Sequence, residues 1–263
     1  MRQWSRRAGL FVALAGAVAA APLGTARAAG DVVRIATEAD YAPFEYKDAS
    51  GKLKGFEIEL GDAMCAKAHL KCEWVNMDFD SMIAALDAHK VDAVLSQMSI
   101  TPERAQKVAF TNPVTLAPAR FVAAKGSKIT DDPSTLKGKT IGVQSGTTHE
   151  NYVRQKLAGI ADVKVYQGQD EAFQDLKSGR VDATLADSTI EYDWLQKDGK
   201  GEFDYVGKPL EDPAIFGTGT GIAVRKDDAK LLSTLNTALA EVKKDGTFQK
   251  INAAYFPFTI EAK

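Results

Sequence analysis

The chain has 263 residues, of which 45% are hydrophobic and 26% are charged, and this length is enough to bury one large core or two medium ones. Four of the 33 basic residues precede residue 29, so the rest of the chain carries 29 basic and 35 acidic side chains, a net charge of about −6. This acidic balance argues against a nucleic-acid partner.

Residues 1–28 have the pattern of a secretory signal peptide. Three arginines precede an apolar run from Ala8 to Leu23, and residues 26–28 form an A-x-A cleavage signal. No cysteine lies at the cleavage site, which argues against a lipid anchor, and no later apolar stretch approaches the roughly 20 residues that span a membrane. We therefore expect a soluble, exported protein that starts near Ala29.

Strand and helix signals then alternate in two similar units. The first unit has strands at 32–36, 72–75 and 91–95 and helices around 56–64 and 82–86; the second has strands at 140–143, 163–166 and 181–185 and helices at 151–157 and 173–176. The βαβαβ order predicts mostly parallel, helix-covered sheets. The recurrence of Val-Asp-Ala after a helix, in ALDAHKVDAVLSQ and FQDLKSGRVDATLAD, predicts two similar α/β lobes rather than one sheet.

Two extended segments, 110–125 and 216–224, are expected to cross between the lobes. The predicted limits are 29–116 plus 219–263 for the first lobe, 120–212 for the second, and 117–119 and 213–218 for the crossings. The C-terminal run 227–255 has leucines at helical spacing and is expected to pack on the first lobe.

The only two cysteines, Cys65 and Cys72, lie seven residues apart, across a predicted helix end and the start of a strand. We interpret them as a disulfide, because an exported protein meets an oxidising compartment. The alternatives are two buried free thiols or a metal site, and the latter would need more ligands than three scattered histidines supply. Neither a metal nor another cofactor is predicted.

Residues 91–104 have the outline of a carboxylate-binding site. A short apolar strand leads to the Ser99 hydroxyl, and Thr101-Pro102 is a strong helix start. Arg104 then falls in the first helical turn, where a cation is mildly unfavourable unless an anion lies nearby. Backbone N–H groups and the guanidinium could converge on one carboxylate, and the alternative is an ordinary surface arginine.

Ligands of open α/β sheets bind beyond the carboxyl ends of strands, so polar strand ends of both lobes are expected to face each other across a cleft. The residues placed there are Glu38–Tyr41, Phe79, Ser96–Ser99, Ser145–His149 and Asp187.

The chain resembles the periplasmic polar amino-acid-binding proteins of ABC importers, most closely the lysine/arginine/ornithine- and histidine-binding branch. The motifs that carry the resemblance span the mature chain: DYAPF at 40–44, GFEIEL at 55–60, DFD at 78–80, SIT at 99–101, KGK at 137–139 and GTG at 219–221. The resemblance implies a type II periplasmic-binding-protein fold, a periplasmic monomer, and capture of a free amino acid for an inner-membrane ABC permease, without covalent chemistry.

The resemblance also implies roles for individual residues. An arginine after the SIT motif holds the ligand α-carboxylate in that family, which corresponds to Arg104 aided by Ser99 and Thr148. An aspartate at the end of the second repeated strand, here Asp187, holds the α-ammonium. The full predicted ligand set is Glu38, Tyr41, Phe79, Ser96, Gln97, Met98, Ser99, Arg104, Thr147, Thr148, His149 and Asp187, in which Tyr41 and Phe79 sandwich the ligand side chain.

The side-chain end of the pocket departs from the family pattern. Glu38 stands where aspartate is typical, Gln97 where a small residue is usual, and His149 where glutamine is frequent, whereas Ser96 matches. A cationic ligand, arginine, lysine, ornithine or histidine, is favoured by Glu38, with an opine or a neutral polar amino acid as alternatives.

An enzyme on the same scaffold, similar to the periplasmic cyclohexadienyl dehydratases, is the alternative from another class. The residues argue against it, since GVQSG at 142–146 misses the G-x-S-x-G elbow and no H-E-x-x-H occurs.

Overall fold

A computed structural model describes Met1 and residues 32–262. The predicted signal peptide and cleavage site therefore lie outside the described residues, apart from Met1. Among the helices of residues 32–262, none combines the length and the apolar character that a membrane span requires.

Up to residue 110, the first lobe contains strands, short helices and one helix of 12 residues. In chain order these are β1 (Val32–Thr37), β2 (Asp40–Tyr41), β3 (Glu45–Lys47), β4 (Leu53–Lys54), α1 (Phe56–Lys67), β5 (Lys71–Asn76), a 3-10 turn (Phe79–Ser81), α2 (Met82–Asp87), β6 (Ala93–Val94), α3 (Pro102–Ala105) and β7 (Ala109–Phe110).

The chain then builds the second lobe and returns to the first. The second lobe consists of β8 (Ala119–Ala124), a 3-10 turn (Pro133–Leu136), β9 (Thr140–Gln144), α4 (Thr148–Lys156), β10 (Asp162–Tyr166), α5 (Gln169–Lys177), β11 (Ala183–Asp187), α6 (Ser188–Gln196), β12 (Phe203–Leu210) and α7 (Pro213–Phe216). The return adds β13 (Ala223–Val224), α8 (Ala229–Lys244) and α9 (Thr247–Tyr255).

Each lobe is built on one five-stranded sheet, and the predicted α/β fold with two similar lobes is confirmed. The strand orders are β5-β1-β6-β13-β7 and β10-β9-β11-β8-β12. In each sheet four strands share one direction and one strand, β13 or β8, runs against its neighbours. The reversed strand is the first that the chain forms after passing between lobes, because it enters the sheet without a crossover helix. The exact lobe limits stay predictions.

The C-terminal run packs on the first lobe as expected but is not one helix. Leu235 and Leu239 of α8 and Phe248 of α9 share a core with Phe56 and Leu60 of α1. The chain breaks between the two helices at Gly246, whose φ of 83° suits glycine. The leucines end at Leu239, before the break, and Asp245-Gly246 was the signal in the sequence that marked it.

The disulfide between Cys65 and Cys72 is present and joins the last turn of α1 to β5, with 6.2 Å between the Cα atoms. The prediction from spacing and compartment is therefore confirmed. Among the described residues, no group of three or more histidine, cysteine, aspartate or glutamate side chains is placed to hold a metal ion.

Candidate functional site: the cleft between the lobes

Polar residues at the carboxyl ends of four strands meet between the two sheets. Glu38 follows β1, Ser96 and Gln97 lie just beyond β6, and Gln144 and Asp187 end β9 and β11. They surround a narrow cavity between the two lobes. It is lined by Glu38, Tyr41, Phe79, Ser96, Gln97, Ser99, Arg104, Gln144, Thr147, Thr148, His149 and Asp187.

Arg104 lies in α3, whose start follows the predicted pattern. Thr101 caps the helix by accepting the N–H of Arg104 at 3.2 Å, and Pro102 takes the first helical position. The guanidinium donates from Nη1 to the Ser99 carbonyl at 3.0 Å and from Nη2 to the Gly146 carbonyl of the other lobe at 3.0 Å. Burial lowers the pKa of Arg104 to about 10, so the side chain remains a cation at neutral pH.

The cation of Arg104 has donors left for an anion. A guanidinium carries five N–H groups, and the two carbonyls take only two of them. The ring of Phe79 covers the guanidinium, with 5.3 Å between its centroid and Cζ. This arrangement can bind a carboxylate with the paired geometry that arginine favours.

Asp187 presents a carboxylate from the other lobe. Its Oδ2 accepts the phenolic O–H of Tyr41 at 2.8 Å, and its Oδ1 lies 3.5 Å from Nε2 of His149. Burial and then the Asp187 charge raise the pKa of Tyr41 well above its usual range, so the phenol stays a donor. An ammonium group is the natural partner for a buried carboxylate held in this way.

Glu38 is a second carboxylate, 6% exposed, in the same cavity. The side-chain amide of Gln144 donates to its Oε2 from across the cleft, and the N–H of Phe79 also donates to the carboxylate. Burial raises the pKa of Glu38 to about 7. A cation placed beside Glu38 would lower this pKa again, because opposite charges favour ionisation.

The remaining predicted residues divide into lining and core positions. The Oε1 of Gln97 accepts the hydroxyl of Thr115 at 3.0 Å, while its Nε2 has no hydrogen-bond partner among the described residues. Thr147 donates to the Gln144 carbonyl at 2.7 Å and caps α4. Met98 does not line the cavity, because its side chain is buried in the apolar core with Met82.

Gln144 is the lining residue that sequence reasoning missed. The predicted strand ended one residue earlier, at 143, and the candidate segment began one residue later, at Ser145. Its polar side chain at the end of β9 takes the place that Asp187 has at the end of β11, and that equivalence was the signal available in the sequence.

The profile of the bacterial extracellular solute-binding proteins, family 3, matches residues 33–258. The chain belongs to this family. The lysine/arginine/ornithine-binding periplasmic protein of Escherichia coli K12 is 42% identical over 233 residues, 88% of this chain and 89% of that protein. The L-arginine-binding protein of Pseudomonas aeruginosa is 41% identical over 253 residues, 95% of this chain and 97% of that protein.

A solved structure supports the same family assignment. A Salmonella typhimurium periplasmic binding protein, described for its high arginine specificity, matches with a TM-score of 0.79 and 34% identity over 86% of this chain and 99% of that chain. The resemblance stated from the sequence motifs is therefore confirmed, and the two-lobed fold is that of the family 3 solute-binding proteins. As a member of that family the chain is a binding protein, not an enzyme.

Proposed function

We propose that this family 3 protein is the periplasmic binding component of an ABC importer and captures a free amino acid with a cationic side chain, arginine, lysine, ornithine or histidine. The relatives named for lysine, arginine and ornithine binding support this ligand class. The secretory pattern of residues 1–28 supports the periplasmic address.

The balance of charges in the cavity carries the proposal. Arg104 supplies one positive charge, and Asp187 and Glu38 supply two carboxylates. An amino acid with an uncharged side chain would pair its α-carboxylate with Arg104 and its α-ammonium with Asp187, leaving Glu38 with neutral donors but no cationic partner. A cationic side chain supplies that partner, and the pairing is strong in a closed cleft of low dielectric constant.

The two lobes contact each other around the cavity, as they would around a captured ligand. Gln144 reaches Glu38, Tyr41 reaches Asp187, and Ser145 donates to Asp80 at 2.8 Å. A ligand that bridges the two lobes favours this closed arrangement over an open one. Closure around the ligand is the signal that we infer the permease reads.

A thermal-shift screen tests the ligand class. The mature protein is unfolded and refolded to remove carried ligand, then heated with arginine, lysine, ornithine, histidine, glutamine or an opine. A ligand at one hundred times its Kd stabilises by about 2.7 kcal/mol, a rise of a few degrees in Tm. We expect the cationic amino acids to give the largest shifts. A larger shift with glutamine or the opine than with the cationic amino acids would overturn the proposal. The absence of a shift with every amino acid would overturn it as well.

A further inference from the structure

Two carboxyl side chains lie directly behind the cavity without lining it. Glu45 of β3 and Glu57 of α1 are 0% and 1% exposed. The two carboxyl groups face each other, and among the described residues no donor reaches Oε2 of Glu45. Two ionised carboxylates in contact at such a buried site would cost much free energy, because neither bulk water nor a cation within residues 32–262 offsets their repulsion. The pair is therefore expected to hold a proton.

The hydrogen bonds around the pair leave one oxygen of each carboxyl for that proton. Ser96 accepts the N–H of Glu38 at 3.2 Å, so its hydroxyl hydrogen goes to Oε1 of Glu45, which accepts at 2.7 Å. The N–H of Gln97 donates to Oε2 of Glu57 at 2.8 Å. One oxygen of each carboxyl is thus occupied by a donor, and a proton between the two remaining oxygens joins the groups, which leaves one proton and one negative charge on the pair.

The segment held by the pair has an unusual backbone. Gln97 has a φ of 44°, in the left-handed region that non-glycine residues seldom adopt. It is stabilised there by the bond to Glu57 and by the Thr115 hydroxyl on its side chain. In this conformation the side chains of Ser96 and Gln97 line the ligand cavity.

We propose that Glu45 and Glu57 are positioning residues: a carboxyl pair with a single proton that holds Ser96 and Gln97 in their ligand-binding conformation and places one buried negative charge behind the cationic end of the ligand. This inference rests on the proposed function for its ligand. Burial and the neighbouring Glu57 raise the pKa of Glu45 well above its usual range, which agrees with a proton on the pair. Glu38, Asp187 and Tyr41 are the titratable groups that face the pair.

Amide substitutions test the shared proton. In Glu45→Gln the amide oxygen can accept from Ser96 and the NH₂ can donate to Glu57, so no proton is needed. In Glu57→Gln the amide can accept from Gln97 and donate to Glu45, which then ionises. Each single variant keeps the bonds and the one negative charge. The double variant loses the charge and sets NH₂ groups against each other.

The measurement is the Kd of refolded protein for L-arginine, taken by calorimetry at pH 8. We expect each single variant to bind within about threefold of the parent, and the double variant to lose more than about tenfold, which is beyond additivity. Glu59→Gln is the matched control, because Glu59 lies on the same helix, is exposed and bonds to Tyr255 instead. A double variant whose loss equals the product of the single losses would overturn the proposal.

Infrared spectroscopy gives a second measurement that does not depend on binding. At pH 8 the parent should show a protonated-carboxyl carbonyl band that is weaker in both Glu45→Gln and Glu57→Gln and unchanged in Glu59→Gln. An unchanged band in Glu45→Gln would overturn the shared proton, even if the double variant does not fold. If the parent fails to bind arginine, the proposed function falls, while the infrared result still decides the carboxyl pair.

Discussion

Arg104 and Asp187 carry opposite charges into the cavity from different lobes. We expect Arg104→Ala and Asp187→Ala each to lose about 2 to 5 kcal/mol of arginine affinity, because either change leaves a desolvated ligand charge without its partner. Calorimetry on refolded protein measures the loss. Arg154→Ala is the control, since that arginine is exposed and its ion-pair partner among residues 32–262 is Glu150 on its own helix. A loss of under about 0.7 kcal/mol in either variant would mean that the α-carboxylate and α-ammonium positions are wrong.

Glu38 is expected to select ligands by the charge of their side chain. Glu38→Gln keeps the shape and removes the charge, so arginine or lysine should lose about 1.5 to 3 kcal/mol while glutamine loses little. Paired titrations of parent and variant with L-arginine and L-glutamine give the comparison. Equal losses for both ligands, or a parent that prefers glutamine, would contradict the assignment of Glu38 to a cationic side chain.

The raised pKa of Glu38 also predicts a pH dependence. Burial sets this pKa at about 7, so Glu38 becomes neutral as the pH falls below 7 and can no longer pair with a cation. Arginine affinity should therefore fall between pH 8 and pH 5, by up to about tenfold per pH unit, with proton release on binding near neutrality. Titrations across this range in buffers of different ionisation enthalpy detect both effects. A profile as steep in Glu38→Gln as in the parent would assign the dependence to other groups.

At the scale of elements, the sequence predicted those strands and helices that carry a clear run or period of apolar residues. The strands β1, β9 and β11 and the helix α1 follow such signals, and eleven of the twelve predicted ligand residues line the cavity. The short strands β2, β3 and β4 lack a comparable run. The contact between Gln144 and Glu38 joins residues 106 positions apart, so no local pattern could have indicated it. This contact depends on the way in which the sheets of the two lobes meet.

The disulfide between α1 and β5 should stabilise the first lobe rather than the binding chemistry. Replacing both Cys65 and Cys72 by serine removes a short closed loop, which in the chain-entropy account costs about 2 to 3 kcal/mol of unfolding free energy. Urea unfolding of the ligand-free protein measures this cost. Arginine binding at low temperature is the companion measurement and should change by less than about threefold. A double variant with unchanged stability would show that the bond contributes little.

At the scale of the whole molecule, closure brings the lobes into contact outside the cavity as well. Gly168, just before α5, lies against Asp40 of β2: a methyl group on Gly168 would be 2.1 Å from Oδ2 of Asp40 and 3.0 Å from its Cγ. The φ of Gly168 is −111°, which alanine adopts readily, so the second lobe itself tolerates a side chain there. The steric conflict arises only when the lobes approach.

Gly168→Ala should therefore weaken binding by opposing closure. The atom in conflict is the end of the Asp40 side chain, which must turn aside at a cost of about 0.5 to 1.5 kcal/mol, and because closure accompanies ligand binding this cost appears as a higher Kd for arginine. Asp40→Ala removes the group that the new methyl meets, so the double variant should recover most of the affinity that Gly168→Ala loses. Calorimetry on the four proteins of this cycle, with small-angle scattering of the arginine-saturated forms, separates closure from damage to the second lobe. If Asp40→Ala restores nothing, the loss comes from α5 itself, and contact between Gly168 and Asp40 does not limit closure.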